Sequence, residues 1–256
     1  MTYGMYLAAA GADVQSRRME VITNNLANVD TVAFKKELAI AQARHSEAIQ
    51  RGESSPGMGS IDDIGGGVFL ANSVTDFSPG PIKRTGVETD MAIDGDGFFC
   101  VEKDGQPMLT RAGNFQVLAD GRFATAQGHS VLDENGQPIV LDPNIPPRVL
   151  NGGVLAQGGE MFPIGLVRPR SLGDLVKAGE NLYSPLAEPE RIPIANRRIM
   201  SGYLEHSSVT PTSEMMHMIE TSRVYESNIR MIQNHRSEEH TSELQSHSFI
   251  SYAVFC

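Results

Sequence analysis

Asp90, Asp94, Asp96 and Asp104 invite a calcium reading. Asp94-Gly95-Asp96-Gly97 starts like a hard-cation loop, but further spaced ligands and a closing Glu are missing, and Phe98-Phe99 follows directly. A turn before a buried strand accounts for the same residues, because Asp and Gly are the usual turn formers. His45-Ser46-Glu47 matches half of a zinc-deaminase signature, and the Pro-Cys-x-x-Cys half is absent. Gly128-His129-Ser130 opens like a nucleophile elbow, yet Leu132 stands where the closing Gly belongs. Neither Gly65-Gly66-Gly67 nor Gly152-Gly153 is followed by the Lys-Ser/Thr of a phosphate loop. His206 and His217 sit near or on a helix, where a solvated or satisfied His is the ordinary case. No residue is therefore assigned a catalytic, cofactor-binding or metal-ligating role.

The elements that would have to position any such chemistry lie at the chain ends. Ala8, Ala12, Gln15, Met19, Ile22, Leu26 and Val29 recur at spacings of four and three, one face of an amphipathic helix close to a heptad seam. The run breaks at Asn28-Val29-Asp30-Thr31, where Asn and Asp compete for nearby backbone groups. At the far end Thr210 can cap and Pro211 suits the first helical position. Met215, Met218, Ser222, Tyr225, Ile229 and Ile232 then repeat at three and four. The two seams are expected to meet, with the Met19/Ile22/Leu26 face on the Met218/Tyr225/Ile229 face, antiparallel or parallel. Periodicity alone allows an assembly module or an ordinary core pair. Leu7 and Val14 lie off the first seam, and Met216 and Ile219 off the second, so these four are expected in water unless neighbouring subunits cover them.

Between the ends the pattern is one of strands. Apolar runs at Met91–Ile93, Phe98–Glu102, Met108–Arg111, Phe115–Leu118, Phe123–Thr125, Ser130–Leu132 and Ile139–Leu141 alternate with Asp104-Gly105, Asp120-Gly121 and Asn135-Gly136. Such dipeptides supply the positive φ of tight hairpins. Residues 37–51 hold helix formers without a clean face and read as a short helix or an extended stretch. Residues 52–67 read as a Gly-rich loop. The expected fold is mixed α and β, with paired, coiled-coil-like N- and C-terminal helices flanking a central antiparallel β domain. The expected limits are 1–36 for the N-terminal helix and Asn-rich segment, 37–67 for a flexible connection, 68–205 for the β domain, 206–234 for the C-terminal helix and 235–256 for a tail.

Three ordered blocks carry a family resemblance. Asn24-Asn25-Leu26-Ala27-Asn28-Val29 with Thr31 and Phe34-Lys35 resembles the N-terminal signature of the flagellar rod and hook proteins. Ala92-Ile93-Asp94-Gly95-Asp96-Gly97-Phe98-Phe99 with Thr110-Arg111-Ala112-Gly113-Asn114-Phe115 is similar to their central β region. Gly202-Tyr203-Leu204-Glu205 through Met231-Ile232-Gln233 is similar to their C-terminal signature. One departure is Ala33, where the family usually has Gly. The resemblance implies a rod subunit without catalytic activity that polymerises through its terminal helices to transmit torque. Its partners would be copies of itself, other rod and hook subunits, flagellar ring proteins and the export apparatus. Met19, Ile22, Asn24, Asn25, Leu26, Asn28, Phe34, Met215, Met218, Tyr225, Ile229 and Ile232 are the expected assembly residues. A hook-type or cap-type axial protein shares the same blocks, and a hydrolase on the β domain would need converging carboxylates.

Composition narrows the classes. The 256 residues carry 21 Lys and Arg against 31 Asp and Glu, a net charge of −10, which disfavours a nucleic-acid surface. Two cysteines, Cys100 and Cys256, can build neither a disulfide framework nor a Cys-based zinc site. No apolar run approaches a membrane span, and no basic stretch precedes the short apolar patch at Tyr6–Ala10. These features alone point to the cytoplasm. The resemblance implies instead a basal-body rod crossing the periplasm, its subunits exported through the flagellar type III channel without a cleaved signal.

From His235 the seam stops, and His235 to Cys256 resembles translated sequencing-adapter read-through. Ile229 and Ile232 are then cut off mid-pattern, since helices normally end at cap signals such as Gly or Asn. Resequencing the source locus is expected to give about one to two dozen different residues that continue the seam. A genomic read that reproduces Arg236 to Cys256 would refute this.

Overall fold

The repeat from Ala8 to Leu26 folds as helix α1, Tyr3–Ala27. It stops where expected: Thr31 donates through its N–H to the Asn28 carbonyl (3.2 Å) and through its hydroxyl to Asn28 Oδ1 (3.2 Å). These local bonds compete with the next helical turn. The computed structural model describes residues 3–45, 49, 51–53, 55 and 65–253, with side chains to residue 236. Most of the expected Gly-rich loop lies outside the described residues.

Two units divide the chain. The first gathers Met1–Ala27, Glu37–Thr75 and Thr210–Cys256, and the second Asn28–Lys36 and Asp76–Val209. These limits differ from those expected. Strand β1 (Glu37–Ala43) pairs antiparallel with β2 (Val68–Thr75), so residues 68–75 belong with the terminal helices rather than the β domain. Residues 37–43 are thus extended, resolving the helix-or-extended alternative. The ladder shifts register between Ala39 and Ala41, a bulge on β2 in which Ala71 and Asn72 oppose the single Ile40.

In the first unit α1 packs on helix α2, Pro211–Ala253, and on both strands. Pro211 opens α2, as its missing N–H predicts. The helix backbone runs on through Ala253, past the expected limit at residue 234. The helices are antiparallel: Gly4 lies against His235 and Gly11 against Asn228. A Cβ on Gly11 would sit 3.1 Å from Asn228 Nδ2, so small residues on α1 set the approach of α2. Val14 is buried and Leu7 half-buried, which corrects the expectation that both need a neighbouring subunit. At Leu7 the chain entering β2 supplies cover, since Gly67 sits against Leu7 and Ala10. A seam read from one helix cannot show a third element on its flank.

The second unit is built on a sheet ordered β14-β15-β6-β5-β9-β8-β7, comprising β14 (Leu175–Lys177), β15 (Leu182–Pro185), β6 (Gln106–Thr110), β5 (Phe98–Lys103), β9 (Ser130–Val131), β8 (Phe123–Thr125) and β7 (Phe115–Val117). Strand β13 (Leu166–Arg168) adds to β5, and β16 (Glu190–Arg191) adds to β13. Three smaller sheets surround it. They are β10-β11-β12 (Arg148–Leu150, Val154–Gln157, Glu160–Pro163), β17 (Ile199–Ser201) on β4 (Met91–Ile93), and β18 (Tyr203–Glu205) on β3 (Ile82–Arg84). All pairings are antiparallel, as the hairpin signals predicted.

Strand alternation fills two cores. Phe99 and Val101 point into a cluster with Phe115, Phe123, Leu155 and Ile164, while Phe98 joins Leu109, Val167 and Tyr183. Cys100, on the Phe98 side, has its thiol pushed up to about 11 by burial, which makes it a packing group rather than a nucleophile. At the Asp104-Gly105 turn both residues have positive φ (52° and 76°), the tight hairpin form expected there. Only the Gly does so at Asp120-Gly121 and Asn135-Gly136. Residues 139–141 form no ladder. Val140 makes an isolated bridge to Arg122, and Pro138, which lacks an N–H to continue the pairing, bridges Leu132.

Ala33 keeps the left-handed conformation, φ 53°, although it carries a Cβ, and it is 1% exposed. Such a backbone costs a non-glycine residue about 1–2 kcal/mol, partly offset by the freedom a Gly loses on folding, about 0.4–1 kcal/mol. Ala33→Gly is expected to stabilise the second unit by about 0.5–1 kcal/mol. Denaturant midpoints of the two proteins measure it, and a lower midpoint for the Gly variant would contradict the strain.

Candidate functional site

The most buried charges in the second unit form one cluster. Lys35 and Glu205 are each 1% exposed and paired at 2.6 Å, and Arg111 Nε reaches the other Glu205 oxygen at 3.1 Å. Glu205 Oε1 also accepts from the Gly80 N–H at 2.8 Å. A Cβ on Gly80 would lie 2.1 Å from the His206 carbonyl oxygen, so only glycine brings that N–H so close. Lys35 Nζ donates a second bond to the Ser78 carbonyl (2.8 Å). Arg111 Nη1 donates to the carbonyls of Gly95 (2.7 Å) and Gly97 (2.8 Å). Both carboxylate oxygens are thus occupied by donors. Burial holds the Lys35 ammonium below its ordinary pKa, and the hydrogen bond to Glu205 offsets only part of that shift.

The cluster fastens the stretch after α1 into the β unit. Ala33 N–H donates to the Glu205 carbonyl (2.8 Å), and the Phe34 carbonyl accepts from Ser208 N–H (3.0 Å). The Lys36 N–H donates to the Ser208 hydroxyl (3.1 Å), and Asn181 Nδ2 donates to the Val32 carbonyl (2.9 Å). Phe34 is buried, with the Lys177 ammonium 4.6 Å from its ring centroid. Next to it Lys36 pairs with Asp76 (3.4 Å). Two bonds from Ser78, with Lys36 adding less, hold the Asp76 carboxyl below the usual range.

The expected assembly residues fall into separate environments. Ile22 is buried, and Met19 and Leu26 are half-buried on α1. Asn25 is buried and acts as a backbone mimic, its side chain exchanging both hydrogen bonds with the Glu37 N–H and C=O (2.9 Å each). Asn24 is exposed and Asn28 half-buried in the turn. On α2, Met218, Tyr225, Ile229 and Ile232 are half-buried, but Met215 is half exposed to water. The inner face runs instead through Glu214, Met218, Thr221, Tyr225, Asn228, Ile232 and His235. The spacing of three and four allows either Glu214 or Met215 on the seam. Apolar preference selects Met215 in the sequence, whereas the structure buries Glu214 and Thr221. The stagger of Gly4 on His235 and Gly11 on Asn228 sets Tyr225 level with the Ala12–Gln15 turn rather than with Leu26.

Large apolar side chains remain outside in this unit. Met216 is 71% exposed and Ile219 55%. On the hairpin Leu38, Ile40, Val68 and Val74 are exposed, with Leu38 and Val74 directly opposed across the ladder. The other motifs bring no chemistry together. Asp94 and Asp96 are exposed on the bend that leads into β5, and Ser130 is a buried strand residue. His129 meets Glu180 (2.8 Å), which also holds Lys103. His45-Ser46-Glu47 lies partly outside the described residues.

Comparisons with known proteins place this architecture. Three family models match in order. A flagella basal body rod protein model covers residues 5–35, a flagellar hook protein FlgE/F/G D1 domain 92–159, and a flagellar basal body rod FlgEFG protein C-terminal model 200–237. The flagellar basal-body rod protein FlgF of Caulobacter vibrioides is 32% identical over 236 residues, spanning 91% of this chain and 94% of the relative. The rod protein FlgG of Buchnera aphidicola subsp. Schizaphis graminum is 31% identical (91% and 95%), and FlgG of Bacillus subtilis 30% (91% and 94%). The chain belongs to the flagellar basal-body rod protein family, structural subunits of the flagellar basal body. Each matched region supplies one member of the buried cluster: Lys35 the first, Arg111 the second and Glu205 the third. The expected assembly residues omit all three, although each lies in a quoted signature block.

A buried pair is near neutral against an apolar replacement but costly to break, about 3–5 kcal/mol when one partner goes. Glu205→Gln leaves Lys35 and Arg111 without their carboxylate and is expected to cost about 3–5 kcal/mol in urea unfolding. Arg17→Ala, which breaks the exposed Arg17–Asp13 pair, should leave the midpoint in place. Equal midpoints for the two variants would show that the cluster is not a determinant of folding.

Proposed function

We propose that this subunit polymerises through its terminal-helix unit, with copies of itself and other rod and hook subunits, into the shaft that transmits torque. The exposed apolar surface of that unit carries the reading: Met215, Met216 and Ile219 on α2, and the Leu38/Val74 strip on the hairpin. Contiguous apolar side chains left in water on a soluble subunit mark an association surface. The heptad-like spacing of the α2 inner face supports a coiled-coil-like pairing with α1, which leaves the outer face free to meet a neighbour. Ile22 and Met218 hold the pair together, and the outward residues recruit the next subunit.

The subunit works without catalysis, as a member of a structural family whose buried carboxylate is fully engaged by donors. It resides in the periplasm-spanning rod, reaches it through the flagellar export apparatus without a cleaved signal, and meets the surrounding ring proteins. No described helix is long and apolar enough to cross a membrane.

Met216→Asp combined with Ile219→Asp puts two charges on the outer face. Each side chain, if covered on assembly, contributes about 1.5–3 kcal/mol. The double variant is expected to raise the concentration needed for polymer formation by about 100-fold or more, read by pelleting. Its melting midpoint should match that of the parent, because both positions are exposed in the single chain. Unchanged polymerisation would place the assembly contact elsewhere.

A further inference from the structure

A bend in the second unit, Asp94-Gly95-Asp96-Gly97, separates two clefts of about 410 Å³ and 180 Å³ that share Asp94, Asp96 and Arg168 in their walls. The larger cleft has apolar lining from Phe77, Ile82, Phe98 and Leu172, with Lys35, Arg111 and Glu205 among its walls. Every buried cation there is spoken for: Lys35 and Arg111 by Glu205, and Arg197 by Glu134 and the carbonyls of Ile192 and Ile164. Three exposed guanidiniums are different. Arg168, Arg170 and Arg198 line the clefts, and among the described residues none has a side-chain hydrogen bond or an ion-pair partner.

We infer that these clefts form a docking site for a carboxylate-bearing segment of a second copy of this chain, gripped by Arg168, Arg170 and Arg198. The inference rests on the assembly reading above and adds a contact surface outside the terminal helices. Planar guanidiniums match a carboxylate with paired, charge-assisted hydrogen bonds. The chain carries ten more acidic than basic residues, so a second copy offers carboxylates widely, and a local group of unpaired arginines is where two such copies attract. The bend is already fixed, by Arg111 on the Gly95 and Gly97 carbonyls and by the Asp94 N–H on the Arg198 carbonyl (2.8 Å). A preformed site spends less ordering entropy on binding. Asp94 and Asp96 stand in the same clefts and repel a dense polyanion such as a phosphate chain. A singly charged side chain on a peptide, with apolar neighbours for the lining, meets the arginines with less repulsion.

The test uses the full chain in sedimentation velocity, as parent, as Arg168→Glu/Arg170→Glu, and as the Met216→Asp/Ile219→Asp helix variant. The arginine variant is expected to self-associate at least 10-fold more weakly than the parent, with an unchanged melting midpoint. A photocrosslinker in place of Leu172, at the cleft mouth, should link two copies through a peptide containing Asp or Glu. Equal association of parent and arginine variant, or crosslinks confined to one chain, overturns the docking site. If that happens while the helix variant loses association, the assembly reading stands and the docking site alone falls. A parent that stays monomeric at all concentrations removes both.

Discussion

Burying a lysine, an arginine and a glutamate together constrains everything around them. Each ion taken from water costs several kcal/mol, and the mutual attraction repays this only when every donor and acceptor is placed. In this subunit that placement needs the Gly80 N–H, the Ser78 carbonyl and the carbonyls of Gly95 and Gly97, all within hydrogen-bond range of the cluster. The local backbone follows from the demand: no Cβ at residue 80, a fixed bend at 94–97, and an Ala held at positive φ two residues before the lysine. The Ala33 strain is tolerated because its N–H is committed to the Glu205 carbonyl and its methyl is fully enclosed.

The same constraint explains why residues 28–36 belong to the β unit although they follow directly on α1. Backbone bonds to Glu205 and Ser208, the Asn181 amide and the Lys177–Phe34 contact hold the segment along its length. The three regions matched by family models meet at this point, one charged residue from each. One charged residue from each family block is therefore part of one packing solution. The terminal-helix unit has the opposite character. Its inner seam is thin, with Gly4 and Gly11 on α1 against His235 and Asn228 on α2 and a buried Thr221, and large apolar residues are left outside. A subunit whose second unit is closed around paired charges and whose first unit leaves methionines in water suits assembly driven by burial between subunits.

Elements whose signals are local can be read from neighbouring residues. The α1 stop at Asn28, the α2 start at Pro211 and the Asp104-Gly105 hairpin follow from side chains bonding or shaping their own backbone, so neighbours suffice to read them. The family blocks were legible for the same reason, as contiguous strings. Features that depend on distance and direction come from the folded chain. Lys35 and Glu205 are 170 positions apart, and Arg111 and Glu205 are 94, so no window shows that they touch, and hydropathy places all three on the surface. The choice of Glu214 over Met215 for the inner seam, the cover over Val14 and the transfer of residues 68–75 to the helical unit have the same origin. A period of three and four fixes a helix face only to within one residue, and which neighbour occupies that face is set by the chain folding back from far away.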